Sequence, residues 1–354
     1  MSWRSKWTKQ GVPTCPDWMP VTGNYSALSK VAAKAKSTSE PYQEPYSLIQ
    51  KEYFCDDSGR YEPLTAISTP YGDHLIINQI EVAEQFFAKN GEALDKSNAQ
   101  VRIMNNFTMD SFAYAESGKT HKRRTKCFMN VFHGENFGHI FNLTRKITAD
   151  KLEKLQNSQQ GSKLTVNLTS EVSETVSHLV LSLIFSKTVM DMEKFSLVTQ
   201  WKNGKEKPTA ISQAFHEVYA KSHQKLSSLS RHLLMGDNIE RDIGSEEKEN
   251  TRNKLEIRDW FLTKLHELQA LRERRQVDLD TEYISYADAL LADSTIKEDE
   301  DAIVTECLSL YQNMALPSAA SILSGLYYIM RDPKIKQTVM KESEQYFGQG
   351  LNAV

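Results

Sequence analysis

The chain has 354 residues, of which 40% are hydrophobic, and this excludes wholesale disorder. Lys and Arg total 43 against 46 Asp and Glu, a formal charge of −3, which argues against a nucleic-acid binder with a strongly basic stripe. Only 15 Gly and 10 Pro occur, so helices are favoured over a glycine-rich nucleotide fold or a turn-dense β-sandwich.

The N-terminus and the cysteines bear on the cellular compartment. The N-terminal sequence MSWRSKWTKQGVPTC has no apolar core of a signal peptide, and no apolar stretch is long enough to span a bilayer. The cysteines lie too far apart for a CxxC motif or a zinc knuckle, and no metal site is predicted. We therefore predict an intracellular chain with free thiols, which is cytoplasmic, or membrane-associated if an anchor is missing from it.

The N-terminal third is predicted to contain one small hairpin among helices. Residues 1–40 are interpreted as an irregular leader with a short helix, and 41–354 as a single domain. The hairpin is predicted at 61–78, where YEPLTAIS and HLIIN flank the turn TPYGD. The helix that follows it should direct Ile80, Ala83, Phe86 and Phe87 towards a core.

The middle of the chain alternates irregular and periodic stretches. Residues 92–117 carry aromatic side chains without a clear period. We favour a loop that packs on the core, and the alternative is a functional loop. After a predicted helix over THKRRTKCFMNVF, a strand is predicted at 163–169, followed by a buried helix that ends near Phe185. Residues 194–235 are amphipathic but broken at Gly204 and Pro208. Residues 236–249 should be an exposed connection, and a long helix is predicted at Asn253–Arg275.

The longest predicted helix runs over 299–330. Its first turn is acidic, which suits the positive end of a helix, and almost no charge follows Glu306. Such a helix should lie in the middle of the domain, and Pro317 should kink it or remove one hydrogen bond. A last helix is predicted at 334–347.

Two features could carry chemistry. The basic run His121–Lys126 is either a solvated helix face, the favoured reading, or a site for the carboxylates of a ligand. The stretch Asn313–Ala320 is either an ordinary proline kink or a helix break at a ligand site. The sequence has no HExxH, GxSxG or Walker motif.

The order of these pieces resembles the cytochrome P450 family, the heme-thiolate monooxygenases. The resemblance covers 40–350 and is carried by the hairpin and by IEVAEQFF, SGKTHKRRTKCFMNVF, VNLTSEVSETVSHLVLSLIF, SYADALL and SGLYYIMRDPKIKQTVMKESEQYFG. It implies a mainly α fold with a small β-sheet, a heme cofactor and an electron-donating reductase. The unusual central helix is also similar to that of the family-twenty animal P450s.

The resemblance assigns heme-binding roles residue by residue. His121 falls where the family places a Trp or His that contacts a heme propionate, to which its ring N–H could donate. The alternative is an exposed helical histidine. The family's arginine four residues later is a threonine here, so Arg124 or Lys126 would have to substitute. Met314 and Ala315 of the central helix are likewise assigned to the cofactor.

At the positions where the family delivers protons to bound oxygen, this sequence departs from the family pattern. The acid–alcohol pair that delivers protons to bound oxygen falls on Leu316 and Pro317, which cannot do so. Ser318 is the only nearby hydroxyl and would be a poor relay. Apolar side chains of the irregular segment and the central helix are predicted to contact a lipophilic small molecule: Phe107, Phe112, Tyr114 and Leu316.

Family members continue into a Glu-x-x-Arg helix and a loop with the cysteine thiolate that binds iron. Neither follows the central helix here, so the chain is expected to be C-terminally incomplete, to lack an axial ligand and to be inactive alone. Two functions stay open: a heme-dependent monooxygenase, or a catalytically inactive, heme-free pseudo-enzyme that serves as a binding or scaffold protein. A third, an unrelated helical scaffold, would lack the hairpin and the central helix.

Overall fold

The computed structural model describes most of the chain, in the ranges 3–20, 22–36, 45–69, 72–90, 107–108, 111–115, 118–157, 165–186, 189–190, 197–227, 241–274 and 284–347. The chain divides into two compact units. The first comprises Met1–Ala99 and Lys225–Ile239, and the second comprises Gln100–Gln224 and Glu240–Val354.

The first unit packs short helices beside a two-stranded antiparallel sheet. Its elements are α1 (Trp3–Thr8), α2 (Tyr25–Lys36), α3 (Pro45–Tyr53), β1 (Leu64–Thr69), β2 (Gly72–Ile77) and α4 (Ile80–Asn90). Its core contains Cys15, Ala27, Val31, Ile49, Phe54 and Ile67. Gly23 is required where it stands, because a Cβ there would lie 2.4 Å from the Ser68 carbonyl oxygen.

The first unit confirms the predicted hairpin, in which Leu64 pairs with Ile77 and Thr69 with Gly72. The predicted inward face of α4 is wrong for Ile80, which is 74% exposed, and for Phe87, which is 60% exposed, whereas Ala83 and Phe86 are half-buried. An amphipathic period shows that a helix has an apolar face, and it does not show what covers that face. The leader predicted as irregular contains α1.

The second unit is built around one long helix. Its elements are α5 (Lys119–Val131), α6 (Glu135–Asn157), α7 (Leu168–Phe185), β3 (Leu197–Lys202), β4 (Lys205–Ala210), α8 (Ile211–Ser227, whose last residues group with the first unit), α9 (Ser245–Glu273), α10 (Tyr286–Leu291), α11 (Glu300–Arg331) and α12 (Pro333–Phe347). Helix α11 packs against α7, α9, α10 and α12. None of the helices in the described ranges combines the length and apolarity needed to cross a membrane.

Aromatic rings fill the core beside α11. The ring of Phe261 on α9 lies 5.4 Å from that of Phe185 and 5.8 Å from that of Tyr311. Phe215 on α8 lies 4.7 Å from Tyr311, edge to face. The Tyr311 hydroxyl is paired with Ser177 Oγ at 2.6 Å, so this buried polar atom is satisfied.

The central position predicted for α11 is right for its first half only. Residues 303–312 are buried, whereas the second half exposes large apolar side chains, including Ile322, Tyr328 and Met330. Pro317 lies inside the helix, which continues to Arg331. A scarcity of charge predicts an apolar surface, but the surface is buried only where a neighbouring element covers it.

Two predictions around these helices are wrong. The strand predicted at 163–169 is absent from its described residues, because Asn167 caps α7 instead and accepts a hydrogen bond from the Ser170 N–H at 3.2 Å. The exposed connection predicted at 236–249 is wrong from Ser245 onwards, where α9 begins, whereas residues 241–244 are non-helical and mostly exposed and 236–240 lie outside the described residues. The acidic Glu246 and Glu247 of that stretch favour the positive end of α9.

Strands β3 and β4 form a hairpin that the sequence analysis missed. Asn203 and Gly204 occupy its two-residue turn with φ of +54° and +72°, as a type I′ turn requires. Asn253 of α9 holds the hairpin, because its side chain accepts from the Trp201 N–H at 2.6 Å and donates to the Trp201 carbonyl at 3.0 Å.

Replacing Asn253 should detach this hairpin. Asn253→Ala leaves the Trp201 backbone groups without both hydrogen bonds, so the free energy of unfolding should fall by about 2 kcal/mol. Urea denaturation followed by circular dichroism measures the loss. Lys205→Ala at the exposed hairpin tip is the control and should change little. Equal effects from the two variants would contradict the anchoring role.

Candidate functional site

The carboxylate of Glu306, on α11, is fully buried and joins several elements. The backbone N–H of Phe112 donates to its two oxygens at 2.9 and 3.1 Å. The guanidinium of Arg124 on α5 pairs with it at 3.1 Å, and the Tyr286 hydroxyl of α10 donates to it at 3.2 Å. One carboxylate therefore joins α5, α10, α11 and the segment that precedes α5.

The charge state of Glu306 reflects competing effects. Burial raises the pKa of Glu306 to about 7, while the Phe112 N–H, the Arg124 charge and the Tyr286 hydroxyl lower it. Burial also raises the pKa of the Tyr286 hydroxyl well above its usual value, and the Glu306 charge adds to this effect. The carboxyl group is thus poised to change its protonation near neutral pH.

A second side chain of α11 holds the same segment. Gln312 donates to the Tyr114 hydroxyl and accepts from the Thr108 hydroxyl at 3.3 Å. Burial raises the pKa of Tyr114 to about 12, so its hydroxyl stays protonated. We call the described residues 107–108 and 111–115 the anchored segment.

The aromatic side chains of the anchored segment differ in exposure. Phe107 is buried and packs 5.1 Å from Phe215 in the core, and Tyr114 is buried beside Gln312. Phe112 is half-buried and stacks on Phe128 of α5 at 5.2 Å between ring centroids. Of the residues predicted to contact substrate, Phe112 and Leu316 are therefore the more accessible.

The side chains predicted to hold heme lie on two helices, α5 and α11, and differ in exposure. His121 is half-buried on α5, and its carbonyl accepts from the Thr125 hydroxyl at 2.8 Å. Arg124 is engaged by Glu306, whereas Lys126 is exposed. On α11, Met314 is half-buried and Ala315 is buried. Ser318, the oxygen-side candidate, is exposed on the second half of that helix.

A polar cavity of ≈ 210 Å³ lies between α5 and the N-terminus of α11. Two arginines and two aspartates line it, together with hydroxyl, thiol and apolar groups. Opposite charges thus face one another across the cavity, and its lining does not favour an anion or a cation. Across the described ranges, no three His, Cys, Asp or Glu side chains cluster closely enough to hold a metal ion.

The surroundings of the cysteines bear on whether one of them could be the thiolate that binds iron. Burial raises the pKa of Cys127 to about 11, and its thiol lies 3.5 Å from Asp293 Oδ2. Burial and then the Glu306 charge raise the pKa of Cys307 well above its usual value. A metal-binding cysteine needs the opposite, an accessible thiolate with a lowered pKa. Neither Cys127 nor Cys307 therefore fits that ligand, and Cys15 is also buried.

These environments predict unequal thiol reactivity. In native protein at pH 8, Cys55, the one cysteine that is not buried, should react first with iodoacetamide. Cys127 and Cys307 should react at least about tenfold more slowly, because they are buried thiols with raised pKa values. Peptide mass spectrometry over a time course measures the order. A urea-unfolded sample is the control, and rapid native labelling of Cys127 would contradict the assignment.

The sequence analysis did not single out the three polar residues that organise this site: Glu306, Gln312 and Tyr286. The signal for Glu306 was present as the last charge before a long uncharged stretch of helix. A lone carboxylate among apolar residues must find partners when it is buried. Those partners lie 20 to 194 residues away in sequence, so periodicity could not reveal them.

Comparison with known proteins agrees with the fold. A model of the family described as cytochrome P450 matches residues 43–352, which is most of the chain and spans both units. No curated protein matches the chain. The expected mainly α fold with a small β-sheet is confirmed, and the described residues form two two-stranded antiparallel sheets. The chain therefore belongs to the cytochrome P450 family, whose members are heme-dependent monooxygenases.

Proposed function

We propose that this chain is part of a heme-dependent monooxygenase that acts on a lipophilic small molecule. The match to the family over residues 43–352 carries the proposal. The apolar side chains along the anchored segment and α11 support the substrate class, since pockets for such molecules are lined mainly by apolar and aromatic groups. An electron-donating reductase belongs to the proposal as the partner that the family suggests.

In this proposal, Phe112 and Leu316 contact the substrate directly because both are half-buried. Phe107 and Tyr114 form the layer behind them, where the core and Gln312 hold them in place. We assign no proton relay, since Leu316 and Pro317 occupy the acid–alcohol positions and the exposed Ser318 makes a poor substitute.

The heme would be held from α5 and α11. His121 would donate to a propionate, with Lys126 as the nearby cation, and Met314 and Ala315 would face the macrocycle. Arg124 would contact a propionate only if it released Glu306. Neither Cys127 nor Cys307 fits the thiolate, so the proposal assigns the iron ligand to neither of them.

The pairing of Arg124 with Glu306 supports the second candidate, a heme-free P450-like pseudo-enzyme that serves as a binding or scaffold protein. A cation already neutralised by a buried carboxylate is not free for a propionate. The raised pKa values of Cys127 and Cys307 point in the same direction. The two candidates differ in whether the folded chain takes up heme and how the iron is then ligated.

A heme titration separates the candidates. Purified protein is mixed with hemin, reduced with dithionite and exposed to carbon monoxide, with denatured protein as the control. Saturable uptake of heme by the folded chain supports the monooxygenase and defeats the heme-free pseudo-enzyme, and the Soret position then reports how the iron is ligated. No uptake by the folded chain sinks the monooxygenase proposal for this chain. Reading the transcript past codon 354 for a downstream Glu-x-x-Arg and a cysteine loop tests the same proposal at the level of the gene.

If heme binds, His121→Ala should weaken its retention by about tenfold, because one hydrogen bond to a charged propionate is lost. Transfer of heme to excess apomyoglobin, followed by absorbance, measures the dissociation rate. His133→Ala is a matched control, since His133 is exposed just beyond the end of the same helix. Equal retention by the two variants would remove His121 from the proposed heme site.

A further inference from the structure

We propose that Glu306 is the positioning residue that clasps the anchored segment to α11, and that its protonation sets how firmly the segment is held. The inference rests on the proposed function, in which this segment forms one wall of the substrate site. A movement of the segment would therefore open or close that wall.

The geometry of the clasp carries the proposal. Phe112 is the point at which the segment meets the carboxylate, through a backbone N–H shared between the two oxygens at 2.9 and 3.1 Å. The bond uses the backbone, so the side chain of Phe112 is left to pack on Phe128. Gln312 binds the segment through the side chains of Thr108 and Tyr114, which are neutral groups. The segment thus has one ionisable clasp and one neutral clasp.

Charged and titratable groups face Glu306 from the elements around it. Helix α5 contributes Arg124, and its Cys127 senses the Glu306 charge. Helix α10 contributes Tyr286, and Cys307 is the neighbour on α11 itself. Arg258 of α9 is bound to Asp301 and Thr305 of α11.

α7 meets α11 through the neutral Ser177 and Tyr311 pair. The described residues of the anchored segment contribute the Phe112 amide and no charge of their own to the carboxylate. Arg124 is therefore the one permanent charge in direct contact with Glu306 among the described groups, and the proton on Glu306 is the variable one.

Protonation of Glu306 favours the closed clasp because Glu306 has a higher pKa in the closed form than in the open form. With the segment in place, burial raises the pKa of Glu306 to about 7. When the segment leaves, the carboxylate loses the Phe112 N–H that lowers its pKa, but water reaches it and removes the larger effect of burial, so its pKa falls towards the ordinary value of 4.5. The open form then binds its proton less tightly, so ionisation favours opening. These two pKa values correspond to about a tenfold rise in the opening equilibrium from pH 6 to pH 8.

Hydrogen–deuterium exchange tests this on the chain alone, without heme or substrate. Exchange of peptides that cover residues 107–115 is measured at several pH values from 6 to 8 and divided by the intrinsic rate at each pH. The corrected rate should rise about tenfold in the native chain. A purely structural role for Glu306 would leave the corrected rate constant across this range.

Two variants should change the corrected exchange rate in different ways. Glu306→Gln keeps an acceptor for the Phe112 N–H but does not titrate, so its corrected rate should be independent of pH. Gln312→Leu removes the neutral clasp, so its rate should be higher at every pH while the tenfold rise is retained. A pH dependence in Glu306→Gln equal to that of the native chain, or its loss in Gln312→Leu, would overturn the proposal.

Tyr286→Phe keeps the inference testable if Glu306→Gln does not fold. The Tyr286 hydroxyl lowers the pKa of Glu306, so its removal should move the midpoint of the exchange profile to higher pH. An unmoved midpoint would contradict the proposal. A clasp that responds to pH in a chain that takes up no heme would support this inference while the proposed function fails. Heme uptake, together with exchange of the segment that does not change with pH, would support the proposed function while this inference fails.

Discussion

Phe261→Ala is expected to lower the free energy of unfolding by about 4 kcal/mol, the largest effect of any single truncation considered for this chain. Phe261 is fully buried at the junction of α9 and α11, with rings of Phe185 and Tyr311 on either side. Its removal leaves a cavity that the surrounding helices cannot fill without losing their own contacts. A shift of the urea denaturation midpoint, followed by circular dichroism, measures the loss.

Phe137→Ala is the matched control because it deletes the same atoms from α6, where the side chain is 59% exposed. It should change the free energy of unfolding by less than about 0.5 kcal/mol. A similar loss in the two variants would mean that the aromatic cluster beside α11 does not hold the second unit together. The second unit contains both positions, so the comparison does not depend on the stability of the first unit.

Stability should also fall as the pH rises through neutrality, and Glu306 should be the cause. Its folded pKa of about 7 lies above the ordinary 4.5, so the folded chain holds this proton more tightly than the unfolded chain. The contribution of Glu306 to stability is therefore complete below pH 4.5 and lost as the pH rises past 7. The shift corresponds to about 3 kcal/mol.

Urea denaturation at pH 5 and pH 8 measures this difference, with Glu306→Gln compared at each pH so that the other titrating groups cancel. The variant should lose less stability than the native chain over this interval. Glu342→Gln on the exposed surface of α12 is the control and should follow the native chain. Parallel pH dependence in native protein and Glu306→Gln would mean that Glu306 titrates normally.

Local patterns predicted much of the architecture. The hairpin around Gly72, the helix that follows it and the long helix from Glu300 to Arg331 were all visible in the sequence. Each depends on residues close together in the chain, such as turn formers, an acidic first turn or an apolar period. The Asn203–Gly204 turn was equally local, and the β3–β4 hairpin was missed because Gly204 was interpreted as a break in an amphipathic stretch.

Burial and the site were harder to predict because both depend on distant partners. Phe87 and Ile80 have the spacing of core residues and are exposed, because no pattern within α4 specifies its neighbour. The family resemblance pointed to α5 and the central helix and offered Arg124 or Lys126 for heme, but it gave no indication that Glu306 is the partner of Arg124. Hydrogen bonds between side chains of separate helices leave no periodic trace in a single sequence.

The separation of the clasp partners along the chain has a consequence for biosynthesis. Phe112 and Glu306 are 194 residues apart, and Thr108 and Gln312 are 204 apart. Closing so long a loop is slow compared with forming a hairpin or a helix. Residues 107–115 therefore leave the ribosome well before the side chains that will hold them have been synthesised. During translation, the wall of the proposed substrate site should be among the last parts of the second unit to form.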